Sequence, residues 1–160
     1  MLKNIKLIDF KDLNFEEKEM ILLWRNNPSV KKWMFNSKEI SRENHFDFLK
    51  NLKYKKDKLY FLVKDDKHYI GVISFININD KSSEIGIYSN PKINGVGTIL
   101  LQTIISYGFD ILNIQKLIAE VFSENLKALN LYTKHNFSSV SKKQFNNKEL
   151  IQMELENENR

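Results

Sequence analysis

The sequence contains no cysteine, which excludes a disulfide framework, a thiolate metal site, a cysteine nucleophile and an iron–sulfur cluster. Its three histidines, His45, His68 and His135, fall in no metal-ligand spacing, so no metal is expected. Two prolines and five glycines exclude collagen-like and low-complexity chains. No stretch reaches about 18 uncharged apolar residues, and the opening MLKNIKLIDF carries Lys3, Lys6 and Asp9. Neither a membrane span nor a signal peptide is therefore expected, and the reading is of a cytoplasmic protein. What is present is 160 residues, 42% hydrophobic and 28% charged, enough apolar material for the core of one domain over residues 1–160.

The net charge of +5 is unevenly distributed. Residues 31–67 hold 11 Lys/Arg against 6 Asp/Glu, and the rest of the chain holds 14 of each, so the whole excess lies in one segment. An electropositive wall facing a phosphate ester would use that excess. A solvated helix face followed by the lysine-rich loop Lys53–Lys58 explains it as well, and from charge alone is the stronger reading.

Element signals follow in order. Residues 5–10 read as a strand. Asn14 with Glu17 forms a capping-box start to a helix carrying Met20, Leu23 and Trp24 on one face. Pro28 opens a short second helix with Val30, Trp33 and Met34 apolar. Ser41 caps a third, with His45, Phe48, Leu49 and Leu52 on one stripe. Trp24, Trp33, Phe46 and Phe48 are read as core.

Leu59–Lys64 and His68–Ile78 form an antiparallel hairpin, followed by a strand over Ser83–Tyr88. A helix over Val96–Leu112, a strand over Lys116–Phe122, a helix over Glu124–His135 and a hairpin turned by Asn146-Asn147-Lys148 complete the chain. The order β-α-α-α-β-β-β-α-β-α-β-β predicts an α/β fold, a mixed, mostly antiparallel sheet with helices on both faces. Gly71, inside a strand pattern, marks a bulge or a close backbone approach.

The segment Tyr88–Thr98 is the most informative. Gly95 and Gly97 sit where a strand has ended and a long helix begins, an arrangement that gathers backbone N–H groups at a positive helix end. The spacing fits neither the dinucleotide fingerprint nor the Walker loop. An ordinary glycine-rich turn explains the two glycines about as well; their place between antiparallel strands and a βαβ unit favours a pyrophosphate site.

The loop Lys92-Ile93-Asn94-Gly95-Val96-Gly97 resembles the Gln/Arg-x-x-Gly-x-Gly/Ala loop of the GNAT acetyltransferase superfamily, with lysine at its first position. Asn125-Leu126-Lys127-Ala128 with Tyr132 and Phe137 is similar to the family's Asn-x-x-Ala-x-x-x-Tyr-x-x-x-x-Phe motif. Trp24–Pro28, Trp33-Met34, His45-Phe46, Tyr60–Val63, Gly71–Ser74 and Glu84–Pro91 narrow the resemblance. The branch they point to holds the ribosomal-protein acetyltransferases and, most similar, the acetyltransferases of pseudaminic acid biosynthesis, which serves flagellin glycosylation.

The resemblance implies a GNAT fold splayed at the acetyl-CoA site and acetyl-CoA as co-substrate without a metal. The implied acceptor is UDP-4-amino-4,6-dideoxy-N-acetyl-β-L-altrosamine, acetylated on its 4-amino group. It assigns acetyl-CoA to Ile87, Tyr88, Ser89, Lys92, Asn94, Gly95, Val96, Gly97, Thr98, Asn125 and Ala128. Tyr132 becomes the general acid, and Arg25, His45, Ser74 and Tyr88 the acceptor contacts. The implied partner is a UDP-amino sugar, with neither nucleic acid nor membrane, and with a homodimer left open.

Without a cysteine, direct attack in a ternary complex is favoured over an acyl-enzyme. Tyr132, with a reference pKa of ~10, can donate to a developing thiolate. Glu84 and Glu120 are the candidate bases, each also explained as an ordinary structural carboxylate. A helix N-cap accounts for Asn125, a helix-end charge for Arg25 and a half-buried core residue for His45, if each is taken alone. Protein Nα-acetylation is the alternative activity. Nucleic-acid binding ranks last, since no recognition helix or RNP pattern accompanies the basic charge.

Overall fold

A computed structural model describes residues 4–158. It contains β1 (Lys6–Asp9), α1 (Phe15–Asn26), α2 (Pro28–Lys31), α3 (Arg42–Asn51), β2 (Leu59–Lys64), β3 (Tyr69–Ile76), β4 (Ser82–Ser89) and α4 (Gly97–Ser106). β5 (Lys116–Phe122), α5 (Leu126–Lys134), β6 (Ser138–Phe145) and β7 (Lys148–Glu156) follow. The seven strands form one sheet in the order β1-β2-β3-β4-β5-β7-β6. Only β4 and β5 run parallel; every other neighbouring pair is antiparallel.

Local chemistry sets the helix ends. The Asn14 side chain accepts from Glu17 N–H at 2.8 Å while Glu17 Oε1 accepts from Asn14 N–H at 3.0 Å, a complete capping box for α1. Ser41 Oγ accepts from Asn44 N–H to start α3, and Pro28 stands at the first turn of α2. With few glycines available, the chain makes its left-handed turns with asparagine. Among the described residues the non-glycine positions at positive φ are Asn4, Asn77, Asn113, Asn136, Asn146 and Asn147. The last two form the two-residue β6–β7 hairpin turn, where both central residues need φ > 0.

The sheet buries both faces. On one, α4 lays Leu100, Leu101 and Ile104 against Ile73, Phe75 and Leu117, with Tyr132 of α5 in the same cluster. On the other, Ile21 and Trp24 of α1 and Leu49 of α3 pack on Leu62 and Val72. Gly71 is both a bulge neighbour and a close approach. The β2–β3 register slips between Val63 and Lys64, and a Cβ on Gly71 would stand 2.4 Å from Tyr88 O and 2.8 Å from Leu100 Cδ1.

Three details differ from the periodicity reading. Leu23 is 72% exposed and Phe48 38% exposed, because the buried stripes run through Glu17, Ile21 and Trp24 in α1 and through His45 and Leu49 in α3. The fourth helix stops as an α-helix at Ser106 and continues as a π-turn over Tyr107–Ile111. That turn docks the Tyr107 ring on Phe61 and Phe75. The first strand ends at Asp9, where the Asp9 side chain accepts from Lys11 N–H and a 3-10 turn begins.

Candidate active site

The parallel pairing of β4 with β5 stops early. Its register runs Ser82–Lys116, Ser83–Leu117 and Glu84–Ile118, after which β4 stays with β3 to Ser89 and β5 stays with β7 to Phe122. The two strands therefore diverge into a V. Asn90 N–H donates to Ile70 O at 2.9 Å, which fixes the alternation along β4. Glu84, Gly86 and Tyr88 bond to β3, so the backbone groups of Ile87 and Ser89 face the V, where β5 offers no ladder partner. Amides held in that way are available to a carbonyl or amide group of a ligand.

The glycine loop lies at the open end of the V on the α4 face. Asn90 anchors it: its Nδ2 donates to Tyr69 O at 2.9 Å and its Oδ1 accepts from Lys92 N–H at 3.0 Å. Gly95 adopts φ +75°, a left-handed conformation, and beyond its chain neighbours no atom of a described residue lies within 4 Å of where a Cβ would stand. Val96 occupies the N-cap of α4 without a side-chain cap, so the first-turn amides of Gly97, Thr98 and Ile99 remain for an anion. Gly97 serves packing: a Cβ there would come within 3.1 Å of Leu131 Cδ2, so its absence lets α5 close on the start of α4. Asn94 is exposed in the loop. Lys92 is also exposed and lines a shallow apolar depression with Phe15, Met20 and Leu23 of α1.

Helix α5 carries the second motif. Asn125 Oδ1 accepts from Ala128 N–H at 3.2 Å, capping the helix and leaving Nδ2 to donate elsewhere. Tyr132, seven residues on, is 5% exposed, packs edge-on to Phe137, and its hydroxyl bonds to no described residue. Burial pushes its pKa well above the ordinary phenol value, so it keeps its proton at any physiological pH.

On the opposite face of the sheet, Arg25 reaches in from the last turn of α1. Its Nη2 donates to Asn36 O at 3.2 Å, while Nη1 is buried without a partner among the described residues. Burial lowers its pKa, and the charged or ionisable groups acting on it are the phenols of Tyr88 and Tyr60. Both phenols are themselves pushed upward by burial and stay neutral, so the site holds a cation and hydroxyl donors. Ser74 sits on the same face, with its Oγ 3.4 Å from Gly86 O.

His45 lies away from this cluster: it is 5% exposed, its Nε2 is 2.8 Å from Lys18 O, and burial lowers its pKa. A neutral imidazole tying α3 to α1 is what its surroundings favour, so the charged phosphate contact expected of it has no support in the geometry. The two carboxylates share the Arg25 face and are both engaged. Asn77 Nδ2 donates to Glu84 Oε2, and Lys143 Nζ stands 2.8 Å from Glu120 Oε2 as an ion pair that lifts the Lys143 pKa.

The fold thus gathers Ile87, Ser89, the 94–98 loop, Asn125 and Tyr132 along one side of the V, and Arg25, Ser74 and Tyr88 on the other. Sequence reasoning missed Tyr60 beside Arg25, Lys143 on Glu120 and Asn90 under the loop. Only Asn90 had a local signal, since Asn-Pro initiates turns.

Comparison with known proteins bears on the family and the fold. The acetyltransferase (GNAT) domain family matches residues 5–138. The acetyltransferase PseH of Campylobacter jejuni subsp. jejuni is 46% identical over 134 residues, 84% of this chain and 85% of that protein. A crystal structure of Campylobacter jejuni N-acetyltransferase PseH in complex with acetyl coenzyme A has a TM-score of 0.80 at 38% identity, covering 95% of this chain and 98% of that one. Spermidine N-acetyltransferase from Vibrio cholerae, solved with CoA and spermine, has a TM-score of 0.84 at 23% identity over 97% of this chain and 96% of that one, a likeness of fold alone.

Proposed function

The chain belongs to the GNAT acetyltransferase family, and from that membership we propose an acetyl-CoA-dependent N-acetyltransferase acting on the 4-amino group of a UDP-4-amino-dideoxy sugar. The specific acceptor is UDP-4-amino-4,6-dideoxy-N-acetyl-β-L-altrosamine, and the setting is cytoplasmic pseudaminic acid biosynthesis for flagellin glycosylation. Residues 1–160 act as one catalytic domain.

The observation that carries the acceptor class is Arg25. A buried guanidinium nitrogen without a partner among the described residues, close to neutral hydroxyl donors, suits a phosphoryl oxygen. A polyamine or a protonated peptide N-terminus would set like charges together there. The residues of the other side fit acetyl-CoA: uncapped α4 amides and the positive-φ Gly95 for the pyrophosphate, Asn125 Nδ2 and the Ile87 and Ser89 backbone for the pantetheine amides. Bound there, acetyl-CoA supplies the acetyl group as a thioester.

The chain's own residues then have separable tasks. The β4 edge orients a carbonyl in the V and withdraws charge from it through a backbone N–H. Tyr132 Oη holds a proton that burial prevents it from losing early, and delivers it where a thiolate develops. The attacking amine sheds its proton to solvent or toward Glu120, the carboxylate beyond the point where the strands separate.

The test is mass spectrometry of the UDP-amino sugar incubated with acetyl-CoA and enzyme, beside spermidine and N-terminal peptides of ribosomal proteins. Acetylation of the nucleotide sugar alone supports the reading. Turnover of the peptides in its place would promote protein Nα-acetylation.

A further inference from the structure

The strand register lays out a row of half-buried residues that runs toward the V. Tyr60 on β2 pairs with Ser74 on β3, and Ser74 pairs with Gly86 on β4, so the three form one row across the sheet on the face that carries Arg25. The row ends in a gap. Gly86 has no side chain, and a Cβ there would stand 2.9 Å from Ser74 Oγ and raise the floor beside the V. At its other end Tyr60 is held firmly, stacked on Phe10 at 5.3 Å and met edge-on by Phe48 at 5.1 Å. Its hydroxyl makes no hydrogen bond to any described residue. Phe48, unexpectedly exposed for a residue read as core, thus has a task in fixing that ring.

Direction follows from the chemistry. A reacting amine must lie in the V, beside β4, where the backbone of Ile87 and Ser89 is free. The far end of the acceptor then lies over β2, two strand spacings or roughly 10 Å away. That is the reach from an amino nitrogen on a pyranose to the phosphoryl groups of its glycosidic diphosphate. Arg25, whose Nη1 is buried without a partner among the described residues, stands by Tyr60 at that end and by Tyr88 on β4.

We infer that Tyr60 is an acceptor-binding residue, donating its hydroxyl to the phosphoryl group that Arg25 holds, and that Gly86 keeps the end of the row beside the V clear for the sugar. This rests on the UDP-sugar reading above and adds two specificity residues to it. The arrangement is economical in charge: one cation and one rigid neutral donor grip the anion, without a carboxylate among the groups acting on Arg25.

The experiment titrates wild type, Tyr60→Phe and Gly86→Ala with UDP and with uridine by thermal shift, then measures acceptor and acetyl-CoA kinetics. Tyr60→Phe keeps both ring contacts, so its melting temperature should match wild type. Its UDP midpoint and acceptor KM should rise about tenfold, with the uridine response, kcat and acetyl-CoA KM unchanged. Gly86→Ala should leave the UDP midpoint within twofold and raise KM for the UDP-amino sugar at least fivefold. A Tyr60→Phe midpoint equal to wild type for UDP, or an equal loss for uridine, would overturn the phosphoryl contact while leaving the UDP-sugar reading intact. A wild type that shows no UDP response removes the reading and this inference together.

Discussion

Replacing Arg25 by methionine separates its contribution to stability from its contribution to binding. Methionine keeps the length and apolar stem and removes the charge. Among the described residues the native side chain has one hydrogen bond, Nη2 to Asn36 O at 3.2 Å, and one buried nitrogen without a partner. Losing the bond costs roughly 1 kcal/mol, while removing an unsatisfied buried donor returns roughly 1–3 kcal/mol. The net lies between about zero and +2 kcal/mol in favour of the variant, as found when buried ionic groups give way to apolar ones of similar volume. For a chain of this size 1 kcal/mol moves Tm by roughly 2–4 °C, so Tm should hold or rise by roughly 5 °C. Binding moves the other way. A charge-assisted hydrogen bond of roughly 1.5–3 kcal/mol predicts an acceptor KM raised roughly 10- to 150-fold, with acetyl-CoA KM unaltered. Differential scanning fluorimetry with and without UDP, followed by steady-state kinetics, reads both effects. A drop of more than about 5 °C with an unchanged acceptor KM would refute the reasoning, making Arg25 a brace for the chain around Asn36.

Tyr132→Phe should lower kcat by ~10²-fold or more with Tm nearly unchanged, because the Phe137 contact survives and the hydroxyl bonds to no described residue; retention of most turnover would mean that solvent protonates the thiolate. Gly95→Ala places a Cβ at φ +75° in open space, so roughly 1 kcal/mol of backbone strain should appear as a lower Tm and a weaker calorimetric affinity for acetyl-CoA. Gly97→Val should weaken the same affinity at least tenfold, chiefly by pushing Leu131 and α5 away from the start of α4; unchanged binding with the fold intact would exclude this loop as the site. For His45 the folded pKa lies below the unfolded value, so its neutral form contributes stability that is present above pH ~6.5 and lost as pH falls below it. Tm should therefore decline from pH 7 to 5, His45→Gln should flatten part of that decline, and acceptor KM should show no imidazole titration between pH 6 and 8.

What the sequence determined by itself is the order of elements and the chemistry at their ends. The capping box of Asn14 and Glu17, Pro28 at a first turn, Ser41 before α3, and Asn146-Asn147 between two strands each act over a few residues, so each was readable from spacing alone. The Gly95–Gly97 loop and the Asn125–Tyr132 face belong to the same local class. Tertiary structure alone decided which side chains are reachable and which are already engaged. Leu23 and Phe48 fit helical stripes in register, yet they face solvent because the packing surface is set by the sheet and not by the helix. The separation of β4 from β5 is visible only in the assembled sheet, where β5 keeps its ladder with β7 to Phe122 after its pairing with β4 has ended at Ile118. Glu120 meets Lys143 only because β7 sets β6 two strands from β5. Arg25 and Tyr60 stand 35 positions apart in the chain, and nothing local tells the guanidinium that it will be half-buried near two phenols, with one nitrogen unsatisfied among the described residues. Desolvation sums contributions from every element packed around a group, so a sequence pattern names the residue while the assembled fold sets its charge state and its partner.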